Sequence, residues 1–439
     1  MSIRPRDTQT QVKHLILEQY LNAWGGIILH GLRGSAHKAQ AAGRDFEAHF
    51  IYVDGFAGRG RYQGDRSTLL AHPDNAQLVW GSPVLGIRAL TKLRTLGQSL
   101  GIPVRTNAIL VERDPAVFST LHESLDMAGW SQETRQTTDF ESLADGELAL
   151  IQDDFCQSAD KVRRFTGDRH RFAFYLLDPY GPSGLALQRV VAPIIRSPRT
   201  DVMINFPYQD LHKKTGGATQ DITPAYAKAQ LHYDALFGCT GWRQVRLAAM
   251  TSEDDENQGE RMEADLVDLY HQQLQKVDST LAIKSVRLRF PDKERTMFYL
   301  FLTTHDGTGA LRLNELLDKA QLREYELRRQ FQAVRTIAEA RDHGQLPFEG
   351  VLTPAREDLP RPNIGPARPT PADIATEIER RFCGRTAVYR EILAAFADSP
   401  HYASEMKNAL TFLKRSGRVS YTELSNSTTI TFATSSKSE

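Results

Sequence analysis

Cysteine is nearly absent. The 439 residues hold three, Cys156, Cys239 and Cys383, with no C-x-x-C pair and no metal-ligand spacing. That excludes a disulfide scaffold and a structural zinc site; it reads as reduced thiols in a cytoplasmic protein that uses no metal. An excess of one charge is also missing, because 54 Lys and Arg balance 54 Asp and Glu. No global field pulls on nucleic acid, and any basic face has to be local. No run of about 18 apolar residues occurs, so no membrane-spanning helix is expected. The opening MSIRPRDTQTQ lacks the apolar centre of a signal peptide. No internal repeat is visible.

What is present is an alternation of strand and helix signals. Residues 9–32 carry apolar groups at helical spacing, among them Val12, Ile16, Leu21, Trp24 and Ile28. Short apolar runs at 49–56, 107–114, 147–155, 171–181 and 200–208 read as buried parallel strands. Helices fall between them, one opened by Ser82 as N-cap and Pro83 at the first helical position. A helix-rich stretch covers about 222–276, a strand pair follows at 281–290 and 296–304, and a charged helix at 310–331. The expected fold class is α/β, a Rossmann-like sheet of class I methyltransferase outline with an antiparallel last strand. Residues 1–45 form an N-terminal helical extension and 46–343 the sheet domain with its helical insertion. Seven prolines make 344–371 an extended linker. In 372–439, helices at 372–383, 386–397 and 401–416 and a hairpin at 418–433 suggest a winged-helix-like domain.

The first strand ends in YVDGFAGRGRY, residues 52–62. Three glycines after a buried strand suggest a turn that wraps a ligand, since glycine tolerates positive φ and lets a ligand approach the backbone. Asp54 ahead of them narrows the ligand. A dinucleotide site aims backbone N–H groups at phosphate, whereas S-adenosylmethionine offers an ammonium that an acid accepts from, directly or through water. Asp54, Gly55, Phe56, Ala57, Gly58 and Gly60 are therefore the candidate cofactor turn. Glu112, ending the second strand, is placed to take both ribose hydroxyls. Asp154 is placed to accept from the adenine amino group, as is neighbouring Asp153, and Phe155 either packs on adenine or belongs to the core.

The fourth strand ends in LLDPYG. In enzymes that methylate an exocyclic amine, a side-chain oxygen and a backbone carbonyl here accept the two amine hydrogens. Proline fixes that carbonyl and donates no N–H, an aromatic ring stacks on the base, and proximity to the sulfonium methyl does most of the rest. Asp178, Pro179 and Tyr180 are the candidate acceptor residues. A strand end followed by an ordinary β-turn would read the same way. INFPY, one strand later, adds Asn205 and Tyr208 as possible lining. In the C-terminal domain Lys407, Lys414, Arg415 and Arg418 are candidate nucleic-acid contacts.

Taken together, KHLILEQYLNAW (13–24), YVDGFAGRGRY, GSPVLGIRAL (81–90), VERDP (111–115), LLDPYG, INFP and YLFLTTHDGTGALRLNELL (299–317) resemble the three-Cys-motif partner family, TcmP. The resemblance spans roughly residues 10–320 and implies a class I methyltransferase fold and a three-Cys-motif protein, itself similar to radical enzymes, as functional partner. A more distant likeness is to ribosomal-RNA adenine-N6 methyltransferases, which share the AGxGRY-type turn and an insertion like residues 61–80. Those enzymes keep two prolines where this chain has Pro179 alone. Two functions follow: an S-adenosylmethionine-dependent methyltransferase acting on a nucleobase amino group in nucleic acid, or a non-catalytic partner of that fold. A Rossmann oxidoreductase is a weaker third, because Gln63 stands where G-x-G-x-x-G needs glycine.

Overall fold

The computed structural model describes residues 3–72, 74, 76–215, 224–251, 258–342 and 368–433. Its centre is an eight-stranded sheet. The strands are β1 (Ala48–Asp54), β2 (Val104–Val111), β3 (Thr134–Gln136), β4 (Leu148–Ile151), β5 (Arg171–Leu177), β6 (Thr200–Phe206), β7 (Ala282–Arg289) and β8 (Thr296–Thr304). Their order is β3-β4-β2-β1-β5-β6-β8-β7. β1 runs parallel to β2 and β5, and Asp54 stands level with Leu110 and Leu176. β8 is antiparallel to both β6 and β7, so it alone is reversed. The mixed sheet expected from the sequence is the one that forms, with Thr134–Gln136 as an extra edge strand that its polar residues concealed. This is a mostly parallel, Rossmann-like sheet covered by helices.

All seven residues of β1 are buried, as a strand covered on both faces requires. Phe50 and Tyr52 point into one core, Ile51 and Val53 into the other. The first core is closed by α1 (Thr8–Ala41), α2 (Ser82–Ser99), α3 (Pro115–Met127) and, after the strands, a long helix at Gly307–Asp342. The second is closed by α4 (Phe155–Thr166), α5 (Tyr208–Thr215), α6 (Pro224–Phe237), α7 (Gly241–Thr251) and α8 (Gln258–Val277). The Gly307–Asp342 helix is α9.

α1 extends past the expected 9–32 and stops before Gly43, which adopts φ 63°, the left-handed ending glycine permits. It is a layer of the domain rather than an appendage: Trp24 meets Phe50 edge-on with ring centroids 5.4 Å apart. Arg61–Tyr62 and Val79–Trp80 pair as a two-stranded ribbon, and a short helix, Arg66–Ala71, lies between them in the chain. The N-terminal segment laces onto this ribbon through Arg6 N–H to Gly64 O (2.7 Å) and Gln63 N–H to Arg4 O (3.1 Å).

The linker at 344–371 falls outside the described residues except for its last four. Beyond it come α10 (Pro371–Phe382), β9 (Thr386–Val388), α11 (Tyr389–Ala395), α12 (Ala403–Arg415), β10 (Val419–Ser420) and β11 (Thr429–Phe432). The helix expected over 386–397 begins late. Thr386, Ala387 and Val388 instead pair with Thr431, Ile430 and Thr429, completing a three-stranded sheet around the expected hairpin. β-branched residues next to a free strand edge favour pairing over a helical turn. This C-terminal unit rests on the start of α9. Leu311 is buried in its core, Asn314 Nδ2 donates to the carbonyls of Ser399 (2.8 Å) and His401 (2.7 Å), and Tyr402 OH donates to Asp318. Among the described residues no helix is long and apolar enough to cross a membrane.

Candidate functional site

The C-terminal ends of β1, β2, β4 and β5 surround a cavity of about 480 Å³. Its floor is the glycine turn after β1. Gly58 and Gly60 adopt φ 62° and 71°, a conformation that costs other residues about 1–2 kcal/mol. Neighbouring strand ends hold the turn: Gly55 N–H donates to Leu176 O (3.0 Å) and Ala57 N–H to Val111 O (2.9 Å). The glycines differ in what they face. A Cβ on Gly55 would press on the Phe155 ring at 3.0 Å, and one on Gly60 would meet Leu121 and Ser124 at 3.0 Å, whereas one on Gly58 would meet no protein atom within 4 Å. Gly58 therefore opens onto the cavity.

Gly55, Phe56, Ala57, Gly58, Gly60, Glu112, Asp154, Asp178, Pro179 and Tyr180 all line this cavity; Asp54 does not. Of the two expected routes from Asp54 to a ligand ammonium, direct or through water, the direct one is not open, because Asp54 does not reach the cavity wall. Its side chain is wholly buried beneath the turn. There it accepts from Tyr52 OH (3.1 Å) and from Phe56 N–H (3.2 Å). Burial pushes its carboxyl up to about 7, with nearby Asp178 adding to the rise. Tyr52 OH also lies 3.3 Å from the Ser82 carbonyl, and Ser82 does line the cavity. The sequence reading made Ser82 an N-cap, but Gly81 holds that place and Ser82 begins the helix.

Glu112 sits on the wall as expected. Its Oε2 accepts from Gly58 N–H (3.0 Å) and its Oε1 from Asp114 N–H (2.8 Å). Each oxygen keeps a lone pair for another donor, so the residue both fixes the turn and remains available. Asp154 has a structural duty: as N-cap of α4 it accepts from Cys156 N–H at 2.9 Å. Its other oxygen faces Arg113 Nη1 at 3.5 Å. Asp153, which also lines the cavity, accepts from Asp154 N–H at 2.8 Å. Phe155 is 1% exposed and edge-on to Phe56 at 5.6 Å, at once core and cavity wall.

At the other end, the Asp178 carboxylate is flanked on both sides. Lys13 of α1 forms an ion pair with Oδ2, and Asn205 Nδ2 donates to Oδ1 at 2.6 Å. The buried Asn205 Oδ1 has no hydrogen-bond partner among the described residues. Tyr180 is 95% exposed, standing at the mouth rather than inside. Tyr208 is displaced from its expected place: it is buried and edge-on to Tyr299 at 6.3 Å, away from the cavity wall.

Lys13, Ser82, Tyr62 and Arg113 escaped the sequence reading. Lys13 alone left a signal, a cation beside the apolar stripe of an amphipathic helix. Tyr62 lines the cavity, and burial, then Asp178, push its hydroxyl above the usual range. Of the four C-terminal cations, Arg418 pairs with Glu379 at 2.7 Å and Lys414 donates to Thr422 O at 3.0 Å, while Lys407 and Arg415 are exposed.

No protein-family model matches the chain, and no curated protein matches it. Among solved structures, it is similar to a DUF519-family protein from Legionella pneumophila, with 9% identity and a TM-score of 0.34 over 68% of this chain and 86% of that one. It is also similar to a Klebsiella pneumoniae protein described as an O-methyltransferase, with 12% identity and a TM-score of 0.27 over 65% of this chain and 88% of that one.

Proposed function

We propose that the chain is an S-adenosylmethionine-dependent methyltransferase of class I fold acting on an amino group of a nucleobase in nucleic acid. One observation carries the reading: Glu112, at the tip of β2, is hydrogen-bonded to Gly58, the glycine whose missing side chain leaves the cavity open. That couples a ribose-type acceptor to a turn that admits a ligand against the backbone, with no phosphate needed. The methyl donor supplies an electrophilic carbon, and the protein aligns the acceptor nitrogen with it. Asp178 and the Pro179 carbonyl would take the amine hydrogens, and exposed Tyr180 would offer its ring to the base. A three-Cys-motif protein is the proposed partner, and the C-terminal unit the proposed winged-helix-like module. The order of its elements, helix, strand, two helices and a hairpin, supports that reading.

A second reading, a non-catalytic partner, is favoured by the engagement of both Asp178 oxygens. Transfer of labelled methyl from S-adenosylmethionine to total cellular RNA or DNA separates the two. Transfer lost in Asp178→Ala supports the enzyme. Binding of adenosylhomocysteine without transfer to either pool supports the partner.

A further inference from the structure

Charge is neutral overall but unevenly distributed. No Asp or Glu occurs between Glu18 and Asp45, nor between Asp74 and Glu112. These two acid-free stretches contain most of α1 and all of α2, and the two helices lie side by side. A Cβ on Gly25 would enter the Leu93 side chain, and Lys92 pairs with Glu18 at 3.0 Å. α2 starts at the cavity with Ser82, which lines it, and the first turns of α1 reach the cavity residue Asp178 through Lys13. Their outer faces therefore form one strip leading away from the site.

On that strip His30, Arg33 and His37 are exposed, and spacings of three and four place them on one helical face; Lys38, one residue further on, is exposed about 100° around the helix from His37. Arg44 is exposed just beyond the helix. Arg88 is exposed on α2 over the Trp80 ring, 5.6 Å from its centroid. Arg33, Lys38, Arg44 and Arg88 make no ion pair among the described residues. α9 lies along the first half of α1, with Gly309 near Tyr20 and Glu324 near the Gln9–Arg289 contact, while in the second half Leu29, Ala36 and Ala39 are buried and the cations are exposed. Asp45 and Glu47 bound the strip at its far end.

We propose that the outer face of α1 and α2 is the track for the phosphate backbone of the nucleic acid whose base enters the cavity. The proposal rests on the nucleic-acid reading above and adds where the polymer lies. Unpaired arginines and a lysine along one helix pair fit phosphates at successive positions. At 1.5 Å per residue, Lys38 stands about 38 Å along α1 from Lys13, a span suited to a folded or double-helical segment. The exposed side chains between these cations are polar or small, which argues against a membrane surface.

The test is fluorescence anisotropy of the full chain with a labelled RNA hairpin, an RNA single strand and a DNA duplex of arbitrary sequence, over a salt series. The variant is Arg33→Gln/Lys38→Gln/Arg44→Gln/Arg88→Gln, with Arg33→Gln/Lys38→Gln as a milder form should the first unfold. Lys407→Gln/Arg415→Gln in the C-terminal unit is the comparison. We expect at least one polymer to bind, the fourfold variant to lose about tenfold or more, and its log–log salt slope to be shallower by about 3. The comparison variant should change less. The polymer that binds tightest identifies the source of the phosphates. No binding to any polymer, or equal binding by wild type and both strip variants, overturns the proposal. Adenosylhomocysteine calorimetry on the same proteins keeps the two readings apart, since loss of cofactor binding in wild type would strike the enzyme and not the track.

Discussion

Lys13 and Asp178, 165 positions apart, form an ion pair that ties the first helix to the loop after β5. Neither is free to leave without stranding the other, because both side chains are largely buried, at 9% and 19% exposure. Replacing Lys13 by Met should lower unfolding free energy by about 3 kcal/mol, read from urea denaturation. Lys13 does not line the cavity, so adenosylhomocysteine affinity should hold. A loss of affinity as large as the loss of stability would show that α1 shapes the cofactor site itself.

Gly58 and Gly86 separate a ligand effect from a packing effect. Gly58→Ala adds a methyl in open space at positive φ, so it should cost about 1–2 kcal/mol of stability yet weaken adenosylhomocysteine by tenfold or more. Gly86→Ala would put Cβ 2.2 Å from the Tyr52 ring, so it should cost about 1–3 kcal/mol by overpacking. Thermal unfolding and calorimetry on both variants give the comparison.

Asp201 gives a pH prediction away from the site. It accepts from Tyr20 OH at 2.6 Å in the core, and burial pushes its carboxyl from 3.8 up to about 7. Between those values the folded state keeps a proton that the unfolded state has lost. Its contribution is thus complete below the lower value and lost as pH rises through the upper one. His49, lowered by burial to about 4, acts in the opposite direction, so the readout is a difference between proteins. Asp201→Asn should lose less stability than wild type between pH 5 and pH 7, measured by urea midpoints; parallel curves would refute it.

Gly307 tests the docking of the C-terminal unit. A Cβ there would lie 2.6 Å from the backbone nitrogen of Ala394, and backbone on backbone has no easy relief. Gly307→Ala should therefore speed hydrogen exchange across residues 371–433 while sparing β1, β2 and β5. Uniform exchange changes would mean the contact serves the whole fold.

What was legible in the sequence follows from the period of its apolar residues. The parallel strands were readable because they are buried on both faces and appear as short apolar runs. The polar edge strand Thr134–Gln136 and the strand Thr386–Val388 were not, because pairing with distant segments decides them. At the site, glycines and strand-end acids were readable as a pattern, and nine of its lining residues lie where that pattern closes on the cavity together with Asp154. Which way the Asp54 side chain turns was not readable, because a strand-end acid looks the same whether it points outward or under the turn. Lys13 on Asp178 and Tyr52 on the Ser82 carbonyl join segments far apart in the chain, which no local pattern announces.

The central claim is that the cavity at Gly58 and Glu112 takes a sulfonium nucleoside. Isothermal calorimetry with adenosylhomocysteine tests it most directly. The account predicts one-to-one binding by wild type and at least about tenfold weaker binding, roughly 1.4 kcal/mol, by Glu112→Ala. No heat of binding with wild type, or an affinity that Glu112→Ala leaves unchanged, would contradict it.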